Sequence, residues 1–220
     1  MFSALQTSAV KAAIRANELG KASPYALSFA KLGSSGASFG VFQGDMHANP
    51  AIRTVLQQVL HAAAMDGAAI TRIVGVLSAP CPNGNPLSPQ DAQHVNNALV
   101  APAGAALVDA MDAQLLQTVL THVQQAVDAA AIRSWTLADV ALLYIALWSN
   151  MTGAPGQLCA WIGGQTIFGV APPHGPIVVE ADLQTYLSAQ SYFQQHPANF
   201  IHFKQSVAAG AALFQPTAMV

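Results

Sequence analysis

Apolar residues recur at helical spacing along most of this chain. Val10 and Ile14 share one face of residues 5–19, and Gly20 follows as a terminating residue, so we predict a helix that ends there. Residues 105–131 carry the same period over more than seven turns and predict one long helix.

Cap residues mark the starts of further helices. Asn49 followed by Pro50 predicts a helix that runs through Leu60, with Asn49 as its cap. Ser88 followed by Pro89 opens another after a loop at 80–89. A helix over 136–148 is predicted to be entered through Thr136, and two more are predicted at 183–194 and 199–214.

Two segments interrupt this pattern. Residues 21–44 contain Pro24 and four glycines and predict a loop with short extended pieces. Residues 153–176, also rich in glycine and proline, predict a short strand or hairpin. The expected fold class is therefore all-α, or α with a small irregular or β lobe near the N-terminus, in one domain over 1–220.

Composition excludes several classes of protein. Hydrophobic residues make up 53% of the chain and charged residues only 8%, against a usual ~25%. A net charge of −2 gives no electrostatic footprint for nucleic acid, so we expect no nucleic-acid partner. The longest strongly apolar segment, 140–148, is well short of the ~20 residues of a spanning helix, so we expect no transmembrane segment.

Motifs for other chemistries are missing from the sequence. The seven histidines show no metal-ligand spacing, and there is no nucleophile elbow or phosphate-binding loop, so we expect no metal and no cofactor. Cys81 and Cys159 fit either one disulfide or two thiols. The first residues lack the features of a signal peptide, so none is expected.

The chain has two glutamates, and Glu18 is placed unusually. It lies four residues after Ile14 and so shares the apolar face of the first predicted helix. Burial disfavours the ionised carboxylate, so we expect a raised pKa, as protonation of a glycosidic oxygen requires. In the alternative interpretation, Glu18 turns outward and pairs with Lys21 or Arg15.

A glycine-rich motif follows Glu18. The run Phe39-Gly40-Val41-Phe42-Gln43-Gly44-Asp45 resembles the signature of goose-type lysozymes and lytic transglycosylases, in which a glutamate ends a helix some two dozen residues earlier. Three positions depart from it: Ser38 replaces a leading glycine, Phe42 a methionine and Gly44 a hydrophobic residue. The resemblance, close over residues 10–50, implies a lysozyme-like helical fold with Glu18 as the catalytic acid.

The resemblance also implies roles for residues of the motif. Ser38 and Gln43 offer hydrogen bonds to a sugar, and Phe39 is a candidate platform, although we expect at least one of Phe39 and Phe42 in the core. Asp45 either positions a catalytic water or caps the helix that begins near Pro50.

A weaker echo of the same family lies at 144–153. Transglycosylases often end a later core helix with an Ala-Tyr-Asn-Ala-Gly motif, which lines their substrate groove. This chain shares only Tyr144, Asn150 and Gly153 with it, which makes Tyr144 and Asn150 candidate substrate contacts. Packing of Tyr144 in the core is the alternative.

These residues lead to one functional expectation. The chain is expected to cleave β-1,4 bonds of peptidoglycan, a polysaccharide substrate, as a muramidase or lytic transglycosylase. It is expected to act on the cell wall, in the periplasm or outside the cell, and the sequence does not indicate its export route. A chitosanase-like hydrolase is an alternative within enzymes, although Ser34 and Ser35 stand where that family has its second acid. A non-catalytic glycan-binding module of the same fold is the alternative outside enzymes.

Overall fold

A computed structural model describes residues 2–30, 33–153 and 155–215 of the chain. Most of these residues are helical, and the few strands are two or three residues long. The helices are α1 (Ala4–Glu18), α2 (Pro50–Ala62), α3 (Gly67–Ser78), α4 (Pro89–Val100), α5 (Pro102–Ala131), α6 (Asp139–Thr152), α7 (Gly156–Ile162), α8 (Glu180–Ser188), α9 (Ser191–Gln195) and α10 (Pro197–Ala211), followed by a 3₁₀ turn, Ala212–Phe214. The strands are β1 (Ser28–Phe29), β2 (Ala37–Phe39), β3 (Gly44–Asp45), β4 (Thr136–Leu137) and β5 (Ile177–Val178). The expectation of a mostly-α fold with a small β lobe is confirmed.

Contacts within the chain define two compact units. One comprises Met1–Gly20 together with Leu116–Val220, and the other comprises Lys21–Leu115. The boundary between them falls inside α5. A single domain over 1–220 stays a prediction.

The first unit is organised around α1, α6 and α10. Helix α6 is buried almost continuously from Ala141 to Leu147, so it forms the centre of this unit. Helix α10 approaches α1 closely at Gly210, where an added Cβ would lie 2.6 Å from the Ala9 carbonyl oxygen. Only glycine permits such an approach between two helices.

One prediction in this unit is wrong, and another holds only in part. Thr136 does not enter a helix: Thr136–Leu137 form β4, which pairs in parallel with β5, and α6 begins at Asp139. The partner strand lies about forty residues away along the chain, so the residues around Thr136 do not indicate this pairing. Residues 153–176 contain helix α7, and only the isolated bridge between Ile167 and Val170 matches the predicted hairpin.

The second unit packs α2, α3, α4 and the start of α5 around an apolar core. Its antiparallel sheet has the order β1-β2-β3, and Ser38 on β2 faces Asp45 on β3 in register. The core cluster includes Phe39 and Met46 from the sheet region and Ile52 and Leu56 from α2. The apolar side chains of the sheet region therefore attach it to the helical core of this unit.

Helix caps follow the predicted chemistry. The Asn49 side chain accepts a hydrogen bond from the Ala51 N–H, and Ser88 accepts one from the Asp91 N–H. Helix α3 was not predicted, and Asp66 caps it through the N–H groups of Ala68 and Ala69.

Within the described ranges, no single helix has both the length and the apolar character to cross a bilayer. The pair α4 and α5, bent by 73° at their junction, meets that requirement by length and composition alone.

Candidate active site

Helix α1 positions Glu18 as its last residue. Its buried face carries Ala9, Val10, Ala13 and Ile14, and Glu18 lies one turn beyond Ile14 on that face. The helix ends before Gly20, whose φ is +54° and whose N–H donates to the Arg15 carbonyl oxygen. Glu18 is consequently held partly buried at the helix end.

The two oxygens of the Glu18 carboxyl group differ in their surroundings. Oε1 accepts hydrogen bonds from Nδ2 of Asn17, at 3.1 Å, and from Nδ2 of Asn150, at 2.9 Å. No described residue donates a hydrogen bond to Oε2. The amides therefore fix the orientation of the group and leave Oε2 as the oxygen able to carry a proton.

The pKa of Glu18 lies above its ordinary value. Burial raises it, and this effect outweighs the hydrogen bonds from Asn17 and Asn150 and the charge of His202, all of which lower it. The predicted rise in the pKa of Glu18 is thus confirmed. Across the described ranges the one ion pair joins Arg72 and Asp91, so the outward pairing of Glu18 with Lys21 or Arg15 is wrong.

His202 supports this arrangement from α10. Its Nε2 lies 3.0 Å from the carbonyl oxygen of Asn17, so an imidazole from one helix contacts the last turn of another. Sequence reasoning missed both Asn17 and His202. Asn17 had one available signal, since it is a polar residue next to the candidate acid.

Asn150 lies near the end of α6 and contacts the acid itself. Its Nδ2 donates to Oε1 of Glu18, and the predicted contact of Asn150 with substrate stays a prediction. The sequence separation is 132 residues, so only the fold brings them together.

Tyr144 does not have the surface that a substrate contact requires. Its side chain is fully buried, its hydroxyl donates to Oε1 of Glu180 at 2.9 Å, and its ring packs on Phe203. Burial and the bond to Glu180 raise the pKa of Tyr144 above its ordinary range. The structure thus corrects the prediction of a substrate contact and agrees with the alternative, a core tyrosine.

The glycine-rich motif of the second unit forms a tight turn after β2. Gly40 has φ +84°, and an added Cβ would lie 2.6 Å from Oδ1 of Asp112. The buried carboxylate of Asp112 accepts hydrogen bonds from the N–H groups of Val41, at 2.8 Å, and Phe42, at 3.3 Å. Asp112 was missed because it lies about seventy residues away on α5.

The aromatic residues of the motif serve the core. Phe39 is completely buried in the apolar cluster and Phe42 is 5% exposed. A sugar platform at Phe39 is therefore wrong, because an aromatic ring must be accessible to stack on a ligand. The expectation that at least one of Phe39 and Phe42 lies in the core is confirmed.

The polar residues of the motif are partly exposed. Gln43 has φ +49°, and its Nε2 donates to the Gly40 carbonyl oxygen at 2.9 Å, which closes the turn. Ser38 lies in β2, paired with Ser28 and Asp45. Substrate contacts by Ser38 and Gln43 stay predictions.

Asp45 organises the chain after β3. Its Oδ1 accepts backbone N–H groups from Gly36 at 3.1 Å, His47 at 2.7 Å and Ala48 at 3.4 Å. The cap of α2 is Asn49, so the alternative in which Asp45 caps this helix is wrong. A carboxylate oxygen with three backbone donors stabilises a turn. The catalytic role of Asp45 stays a prediction.

In the described ranges, no three His, Cys, Asp or Glu side chains form a group that could hold a metal ion. Cys81 and Cys159 are free thiols, and burial raises the pKa of each.

The fold and this site define a mostly helical protein with one partly buried carboxylic acid oriented by two amides. Comparison of the chain with protein-family profiles, with curated protein sequences and with solved structures gave no match.

Proposed function

We propose that this chain is a glycan-cleaving enzyme that acts on the β-1,4 bonds of peptidoglycan, with Glu18 as its general acid. One observation carries the proposal: burial raises the pKa of Glu18 while two amides hold only Oε1. A carboxylic acid whose pKa is raised, with one oxygen free to donate, is what departure of a glycosidic oxygen requires. The resemblance of residues 39–45 to the lysozyme and transglycosylase signature supports the choice of polymer.

The first step is proton transfer from Oε2 of Glu18 to the glycosidic oxygen. The bond between that oxygen and the anomeric carbon breaks, and the sugar takes up oxocarbenium character. Glu18 is left as a carboxylate, which the N–H groups of Asn17 and Asn150 stabilise through Oε1. The same amides therefore assist the donor after its proton has left.

Two endings complete the reaction. In hydrolysis a water molecule attacks the anomeric carbon, its surplus proton passes to the carboxylate of Asp45, and a reducing end forms. Alternatively a hydroxyl of the same sugar attacks, its proton returns to Glu18, and an anhydro ring forms with no water consumed. We favour the second ending, because Oδ1 of Asp45 accepts three backbone N–H groups and so has a structural task.

The product ends test this proposal. Purified sacculi digested with the protein are expected to release soluble fragments, and mass spectrometry distinguishes anhydro from reducing ends by the mass of one water. Anhydro ends support the favoured ending, and reducing ends support hydrolysis. Co-sedimentation with sacculi without any released fragment would contradict catalysis and indicate a binding module.

A further inference from the structure

Arg133 lies outside the Glu18 site and has an unusual environment. Helix α5 ends at Ala131, and the chain turns at Ser134, whose φ is +58°. The turn is closed by the N–H groups of Ser134 and Trp135, which donate to the carbonyl oxygens of Ala131 and Ala130. Arg133 and Trp135 flank this turn and meet face to face.

The guanidinium group of Arg133 is stacked on the indole. Its Cζ lies 3.4 Å from the centroid of the Trp135 ring. Gly164, after α7, lies next to the guanidinium group, since an added Cβ there would lie 3.5 Å from Nη1 of Arg133. The stack fixes the plane of the guanidinium group and closes one of its faces.

The same group lacks hydrogen-bond partners in the part of the chain that the structure describes. Nη1 is buried and unpaired, and none of the guanidinium N–H groups donates to a described residue. Arg133 also has no ion pair there, while Arg72 pairs with Asp91 and Arg53 donates to two carbonyl oxygens. A buried donor of a cation without an acceptor is costly. The side chain as a whole is partly exposed, so its remaining N–H groups are open to an acceptor supplied from outside the chain.

We propose that Arg133 and Trp135 form a binding site for a carboxylate group. The planar fork of a guanidinium group matches two carboxylate oxygens, and the indole directs the ligand to the in-plane N–H groups. A single cation in a chain of net charge −2 suits a monoanion better than a dianion. The site is independent of the proposed glycosidic chemistry.

Nuclear magnetic resonance of the arginine Nε–Hε groups tests the site. The chain has four arginines, so Arg53 and Arg72, already bonded within the protein, are internal controls. Sodium acetate, titrated at constant ionic strength, is expected to shift the Arg133 and Trp135 side-chain resonances saturably, whereas its uncharged isostere acetamide does not. Linear shifts that Arg15 shares equally, or equal effects of acetamide, would overturn the proposal.

Variants separate binding from folding. Arg133→Gln is expected to weaken acetate binding at least about tenfold, and Arg133→Lys, which keeps the charge without the fork, by less. Circular dichroism checks that both variants fold, and acetate binding by folded Arg133→Gln with the affinity of the wild type would overturn the proposal. The wild-type titration decides the matter if the variants unfold.

The source of the carboxylate is tested with two further probes on the wild type. N-acetylmuramic acid carries a sugar carboxylate and alanyl-alanine carries a peptide carboxylate. Tighter binding of either than of acetate identifies the source, and equal binding of all three means that recognition stops at the carboxylate. Absence of saturation with all three contradicts the site.

Discussion

The unequal oxygens of Glu18 have consequences at the scale of single residues. The raised pKa of this carboxyl group could be anticipated from its place on the apolar face of α1. Its orientation could not, because Asn150 and His202 reach the end of α1 from distant parts of the chain. Local periodicity predicts which face a residue occupies, whereas hydrogen bonds between distant segments depend on packing.

The raised pKa of Glu18 predicts a pH dependence of stability. Burial favours the protonated form of Glu18 in the folded state. Its burial therefore does not lower the free energy of unfolding below the pKa that Glu18 has in the unfolded chain, and it lowers that free energy as the pH rises through the pKa in the folded state. Glu18→Gln, which keeps an acceptor for both amides, should therefore match the wild type near pH 4 and exceed it in melting temperature near pH 8. Thermal unfolding of both proteins across this range measures the difference, and a gap that stays constant or narrows with pH would contradict the burial of Glu18.

Asp45 gives a second prediction at this scale. Asp45→Asn retains an oxygen for the three backbone donors and should cost less than about 1 kcal/mol, whereas Asp45→Ala leaves them unmet and should cost about 1–3 kcal/mol. Urea unfolding measures both values. With anhydro products Asp45→Asn should also keep most of the turnover, and a well-folded but inactive Asp45→Asn protein would assign the water-positioning role to Asp45.

At the scale of elements, most helices could be predicted from the sequence, whereas features that depend on contacts between distant segments could not. Caps such as Asn49 and Ser88 act through the nearest few residues, so the sequence around them carries the signal. Strand β4 depends on β5 across the fold, and Thr136 consequently looks like a helix start. The turn at Gly40 was recognisable from its glycines, but its carboxylate partner Asp112 was not.

Two helical glycines, one at the contact between α1 and α10 and one in open space on α3, are predicted to respond oppositely to substitution by alanine. Gly210→Ala places a methyl group 2.6 Å from the Ala9 carbonyl oxygen and should destabilise the protein by about 1–3 kcal/mol. Gly75→Ala, in α3, meets nothing within 4 Å and should stabilise it by about 0.5–1 kcal/mol. Free energies of unfolding in urea measure both, and equal effects would contradict the close approach at Gly210.

At the scale of the whole molecule, apolar packing dominates over charge. Charged residues make up 8% of the chain, and the ion pair found among the described residues, Arg72 with Asp91, is exposed on the arginine side. Exposed pairs contribute about 0–1 kcal/mol and are screened by salt. The low charge is the reason why the composition predicts no nucleic-acid partner and gives no positive indication of a substrate.

This balance predicts that stability responds weakly to screening. Raising NaCl from about 20 mM to about 200 mM shortens the range of charge interactions severalfold, yet it should change the free energy of unfolding by less than about 1 kcal/mol. Urea unfolding at both concentrations measures the change. A larger loss at the higher concentration would mean that ion pairs contribute far more than the structure indicates.

The central claim, that Glu18 is the acid of a glycan-cleaving enzyme, is tested most directly by a matched pair of variants. The chain has two glutamates, and both accept two side-chain hydrogen bonds at Oε1. Release of soluble fragments from purified sacculi should fall by roughly 10²–10⁴-fold in Glu18→Gln, because the amide cannot donate the required proton, and should persist in Glu180→Gln. Full activity in a folded Glu18→Gln protein would contradict the claim.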